Sequence, residues 1–208
     1  VHTVLLTFSR GGMLGLLAPR VAFFVWIIAC AYSDFLKRLT VVFGEVGRMD
    51  LMYVLGITPA MFSAIVVSLV IGGFTGAYQV RMSHWKLFIL GLVLTLATGI
   101  IYAIETGGSV QMAMQGIANG GLYSLMLFVM PVLFPRHEDA LRVLRFTLWA
   151  FLPVALYGIA QQIDGFQRFE IAYLRTGLSI EIKQLLTSHV RAFSTLNSPT
   201  ALGAVSAV

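Results

Sequence analysis

The residues with the most chemical promise stand late in the chain, where Arg191 precedes the tripeptide Asn197-Ser198-Pro199. Asn and Ser are favoured helix caps and Pro is tolerated in a first helical turn, so the tripeptide reads as a turn that opens a helix. The unpaired N–H groups at such an end attract anions. Arg191 keeps its charge at any working pH and offers a fork of donors. Together they suit a phosphate or pyrophosphate, with Arg191 as the catalytic candidate and Asn197 as a substrate-binding one. The competing role for Arg191 is a headgroup anchor, because long cationic side chains snorkel to the lipid surface. Gln161, which with Gln162 closes an apolar run, and Arg168 are further substrate-binding candidates. Polar groups in such a place face a wet cavity or mark the membrane interface.

Other chemistries lack their residues. No Gly-x-x-x-x-Gly-Lys-Ser/Thr loop occurs, which argues against ATP hydrolysis. His2, His84, His137 and His189 form no His-x-x-x-His pair, and Cys30 has no cysteine partner. A metal site and an internal disulfide are therefore not expected. No Asp-x-Asp pair is present to hold a metal for nucleotide-sugar transfer, and no cofactor is expected.

The elements that must position these residues follow from composition. Of 208 residues, 58% are hydrophobic and 11% charged, against about a quarter charged in soluble domains. That composition describes an all-α, polytopic transmembrane bundle. The net charge of +5 comes from cations scattered between apolar blocks. It points to membrane topology rather than to a nucleic-acid partner.

Because about 20 apolar residues cross a bilayer, five complete spans are expected: Met13–Tyr32, Leu51–Ile71, Leu87–Ile104, Ile117–Phe134 and Phe146–Ile163. A sixth opens near Thr200. Residues 1–208 form one membrane-embedded region, and they read as a piece of a longer protein that would be inactive alone. Arg81 and Lys86 flank one connection, and Arg136, Arg142 and Arg145 fill another, while Glu105–Gly116 carries no cation. Basic loops prefer the cytoplasm, so Glu105–Gly116 and the loop Asp164–Ser198 are assigned to the outer face.

Two stretches between spans carry helical apolar stripes. In Ser33–Asp50 the apolar residues Phe35, Leu36, Leu39, Val42, Phe43 and Val46 share a face, with Lys37, Arg38, Thr40 and Glu45 elsewhere. This is the pattern of a helix resting among headgroups, started by Ser33 or Asp34 as cap. In the outer loop, Phe166, Phe169 and Tyr173 form a stripe, with Gln167, Arg168, Glu170 and Arg175 on other faces. Leu178, Ile182, Leu185 and Leu186 form a second, and Thr176-Gly177 separates the two. These loop helices either close the bundle or cover a lipid-linked substrate.

The run from His189 to Gly203, with Arg191 and Asn197-Ser198-Pro199, resembles a signature of O-antigen ligases and of the related Wzy-type O-antigen polymerases. Upstream, Leu156-Tyr157-Gly158-Ile159-Ala160-Gln161-Gln162 is similar to the family's span ending in Tyr-Gly and Gln. Ser194 stands where the family often has Gly, and Thr200 where it has Asn after the Pro. The resemblance covers roughly Leu156–Gly203. It implies a polyprenyl-pyrophosphate-linked glycan donor, a glycan or lipid acceptor, a bacterial inner-membrane location and no metal or nucleotide. It gives Arg191 the role of stabilising the leaving pyrophosphate, with Gln161 and Arg168 in support. From a different class, the alternative is a membrane transporter or a non-catalytic bundle subunit.

Overall fold

The computed structural model describes residues 12–44 and 48–176, and these are helical with short connections. In order they are α1 (12–17), α2 (Pro19–Phe43), α3 (Arg48–Thr75), α4 (Met82–Thr106) and α5 (Val110–Asn119). A 3-10 turn (Gly121–Leu125), α6 (Met126–Leu133), α7 (His137–Asp164) and α8 (Arg168–Arg175) complete the order. Four described helices are long and apolar enough to cross a membrane, or five if the bent α5–α6 pair counts as one span. The expected sixth span near Thr200 and the second stripe at Leu178–Leu186 lie outside the described residues.

The first expected boundary is wrong. The chain does not leave a span at Tyr32 and begin a separate surface helix capped by Ser33 or Asp34. Instead α2 runs unbroken for 25 residues from Pro19 to Phe43, about 37 Å at the rise of an α-helix. The interruption comes earlier, at Ala18. Pro19 has no N–H to donate, yet the Ala18 and Ala22 amides bond to Leu14 and Ala18 as in a continuous helix. The expected faces also sort differently in part. Lys37 and Arg38 are buried while Leu36 and Phe43 are exposed.

The chain divides into two compact units. Among the described residues, one contains 25–44, 48–58 and 144–176; the other contains 12–24 and Pro59–Val143. In the latter unit α4 shows how a membrane helix chooses its faces. Gly91, Thr95 and Gly99, spaced i, i+4, i+8, are its buried residues. Ile89, Val93, Leu96 and Ile100 are each more than half exposed. An exposed apolar face of that length suits lipid and not water.

The tight connection after α4 has local causes. Gly107 takes a left-handed conformation at φ 111, which glycine adopts freely at a helix end. Ser109 then caps α5 by accepting from the Met112 N–H at 3.2 Å. The cation-free connection is thus only Gly107–Ser109, since most of Glu105–Gly116 is helical. Arg142 and Arg145 likewise ride on α7 rather than in the loop before it.

The expected span Ile117–Phe134 is broken as well. Its two parts bend by 47° at Gly120-Gly121, where two residues of poor helix propensity meet. Thr95 Oγ1 lies 2.8 Å from both the Gly91 and Gly121 carbonyl oxygens, donating its proton to the backbone at the break. A side chain at Gly121 would place its Cβ 2.8 Å from the Thr95 carbonyl, whereas one at Gly120 would meet nothing within 4 Å. Gly121→Ala is therefore expected to cost about 1–3 kcal/mol of stability through overpacking, read as a lower melting midpoint in detergent. Gly120→Ala should leave it nearly unchanged. Equal midpoints for the two variants would mean that α4 does not pack at the break.

Candidate functional site

The site of greatest chemical interest lies within the unit that holds the second half of α2, most of α7, and α8. Gly165 ends α7 at φ 80, its N–H bonding to the Gln161 carbonyl at 3.1 Å. The left-handed turn reverses the chain and lets α8 start at Arg168. Glu170, the third residue of α8, then reaches back so that its Oε2 accepts from the Gln167 N–H at 3.0 Å. A carboxylate at this position satisfies a helix-start amide and complements the helix dipole.

The same carboxylate binds the other two helices. Its Oε1 accepts from Arg38 Nη1 of α2 at 3.3 Å and from Gln161 Nε2 of α7 at 2.5 Å. Both ends of the ion pair are out of water, with side-chain exposures of 3% and 0%. Arg38 also donates from Nε to the Asp34 carbonyl, one turn back, at 3.3 Å. A charge withdrawn from water is strongly unfavourable unless paired and hydrogen-bonded, and here both partners are. The Tyr157 hydroxyl lies beside Glu170 and Gln161, buried but outside hydrogen-bonding geometry. Phe35 makes edge contacts with Tyr157 at 6.0 Å and Phe169 at 5.8 Å, so aromatic packing surrounds the polar cluster.

Next to the cluster opens a cavity of about 570 Å³, in the range of small-ligand sites. Phe43, Tyr157, Phe166 and Phe169 supply its aromatic lining, and Asp164, Gln161, Gln167 and Arg168 its polar lining. Arg168 is exposed and forms no ion pair with another described residue. Phe169 is half-buried and Tyr173 is buried, as their stripe predicts.

Of the four sequence-derived site residues, the structure brings Gln161 and Arg168 to one cavity. Arg191 and Asn197 lie outside the described residues. Gln161 lines the cavity at 4% exposure while its Nε2 donates to Glu170. Glu170 is a correction: expected on a polar face of α8, it is fully buried. Sequence reading also passed over Arg38. The signals for it were an Arg within a long apolar helical run and a Glu three residues after a helix-start position. Neither signal names the other residue as partner.

Among the described residues, no three His, Cys, Asp or Glu side chains gather as metal ligands would. Comparison with family models, with curated proteins and with solved structures gives no match to this chain.

Proposed function

We propose that the chain takes part in glycosyl transfer within a bacterial inner membrane, from a polyprenyl-pyrophosphate-linked glycan to a sugar or lipid hydroxyl, in surface polysaccharide assembly. The observation that carries this reading is the cavity at the end of α7, where four aromatic residues, two glutamines, Asp164 and Arg168 share one lining. Aromatic faces and planar amides suit the alternating apolar and hydroxyl surfaces of sugar rings. The guanidinium of Arg168 suits a phosphate. The ligase-like motif containing Arg191 and Asn197 adds the second support.

In the reaction, the acceptor oxygen bonds to the donor's anomeric carbon as that carbon's bond to the pyrophosphate oxygen breaks. The electron pair leaves with the pyrophosphate, where arginine donors offset the growing charge. Asp164 is a carboxylate at the cavity that can take the acceptor's proton.

The test is binding of a polyprenyl-pyrophosphate-linked glycan to the purified protein, against the same lipid without its sugar. Arg168→Ala is expected to weaken donor binding about tenfold or more, the value of one charge-assisted contact. It should not disturb the fold, since Arg168 is exposed. Failure of the unmodified protein to prefer the glycan-bearing lipid would remove the glycan reading. Unchanged affinity for Arg168→Ala would remove Arg168 from the site.

A further inference from the structure

An isolated helix of eight residues is too short to hold itself together in water. The placement of α8 (Arg168–Arg175) must therefore come from its contacts. Part of this is apolar packing: Phe169 sits edge-on to Phe35, and Tyr173 is buried at 2% exposure. Apolar contact is non-directional and tolerates a small rotation of a short helix. Each residue of helix register, however, swings a side chain by about 100° about the axis. Such a slip would carry Arg168 away from the cavity that it lines.

Directional contacts remove that freedom, and Glu170 supplies three of them. Glu170 is bonded to α2 through Arg38, to α7 through Gln161 and to its own helix start through the Gln167 N–H. Gln161, Gln167, Arg168 and Phe169 all line the cavity. One carboxylate thus holds an amide of the lining by its side chain and another by its backbone. It also fixes the rotation of the helix that carries the other two. We propose that Glu170 is a positioning residue, which sets α8 at the cavity wall and the Gln161 amide within it while itself staying out of contact with the ligand. Its consequence for ligand binding rests on the reading of the cavity as a donor site; its consequence for α8 does not.

The experiment uses the whole protein with Cys30→Ser and spin labels at two exposed apolar positions, Ile171 on α8 and Leu156 on α7. The carboxylate is removed without leaving its partner charged by the double substitution Arg38→Met, Glu170→Leu. The milder Glu170→Gln retains one acceptor for Arg38 and Gln161 but loses the other oxygen that receives the Gln167 N–H. Expected is a protein that still folds, judged by its elution and melting in detergent. Its label at position 171 should become more mobile, and its 171–156 distance distribution should broaden, in the double variant most and in Glu170→Gln less. Affinity for the lipid-linked glycan should fall at least tenfold in the double variant.

A folded double variant with unchanged mobility and distances would overturn the proposal, because the remaining contacts would then suffice to place α8. Failure of both variants to fold would overturn it as well, making Glu170 a folding residue. If the unmodified protein binds no donor, the cavity reading fails, and the label measurements still decide whether Glu170 positions α8.

Discussion

Arg38→Met, made alone, is expected to cost about 3–5 kcal/mol of stability, because Glu170 is left as an unpaired charge out of water. Glu170→Leu alone should cost a similar amount for the opposite reason, removing the carboxylate that pairs with the buried guanidinium. Made together, the two substitutions should recover most of the loss, since apolar groups of similar volume commonly replace a buried ion pair without penalty. The resulting coupling is large because both side chains are almost fully enclosed, at 3% and 0% exposure. Thermal or denaturant unfolding in a mild detergent, read for all four proteins of the cycle, measures it. A coupling below about 1 kcal/mol, the size found for surface pairs, would mean that the Arg38 and Glu170 charges are solvated. The exposed Arg142–Asp139 pair, also at 3.3 Å, is the internal control. Its removal should be almost silent despite the same separation.

The second expected result concerns Arg191, which lies outside the described residues and is reached through the sequence. Arg191→Lys keeps the charge and loses the planar fork of donors. If Arg191 stabilises a departing pyrophosphate, transfer from a lipid-linked donor should fall by about 10²-fold or more, as when one transition-state donor is removed. A headgroup anchor would tolerate the change, because lysine snorkels equally well. The assay is single-turnover transfer in membranes, normalised to protein present. Full activity of the lysine variant would reduce Arg191 to an anchor. Together the Arg191 and Arg38 experiments separate two uses of arginine in this chain. One should lower turnover at constant protein, and the other should lower the protein's stability.

Features that depend on neighbours in sequence could be read without a structure. The apolar blocks of α3, α4 and α7 were legible because about 20 residues without water-seeking side chains have few places to be but a bilayer. The α8 stripe of Phe169 and Tyr173 was legible because side chains three or four apart share a helix face. The end of α4 is equally local, with Gly107 in its left-handed turn and Ser109 capping α5.

Features that depend on a partner far along the chain escaped the sequence. The stripe of Ser33–Asp50 was sorted by the rule that charges face away from apolar neighbours. Arg38 violates that rule because Glu170, 132 residues later, neutralises it inside. The break at Gly120-Gly121 could have passed for a chance glycine pair until Thr95, 26 residues earlier, placed its hydroxyl on the Gly121 carbonyl. Gln161 illustrates both levels: its location at the end of an apolar run was plain, but the use of its amide was not. Periodicity and length report each residue's preference for water or lipid, one residue at a time. Whether a charge can be buried is a property of a pair, and only the tertiary structure of α2, α7 and α8 brings that pair together.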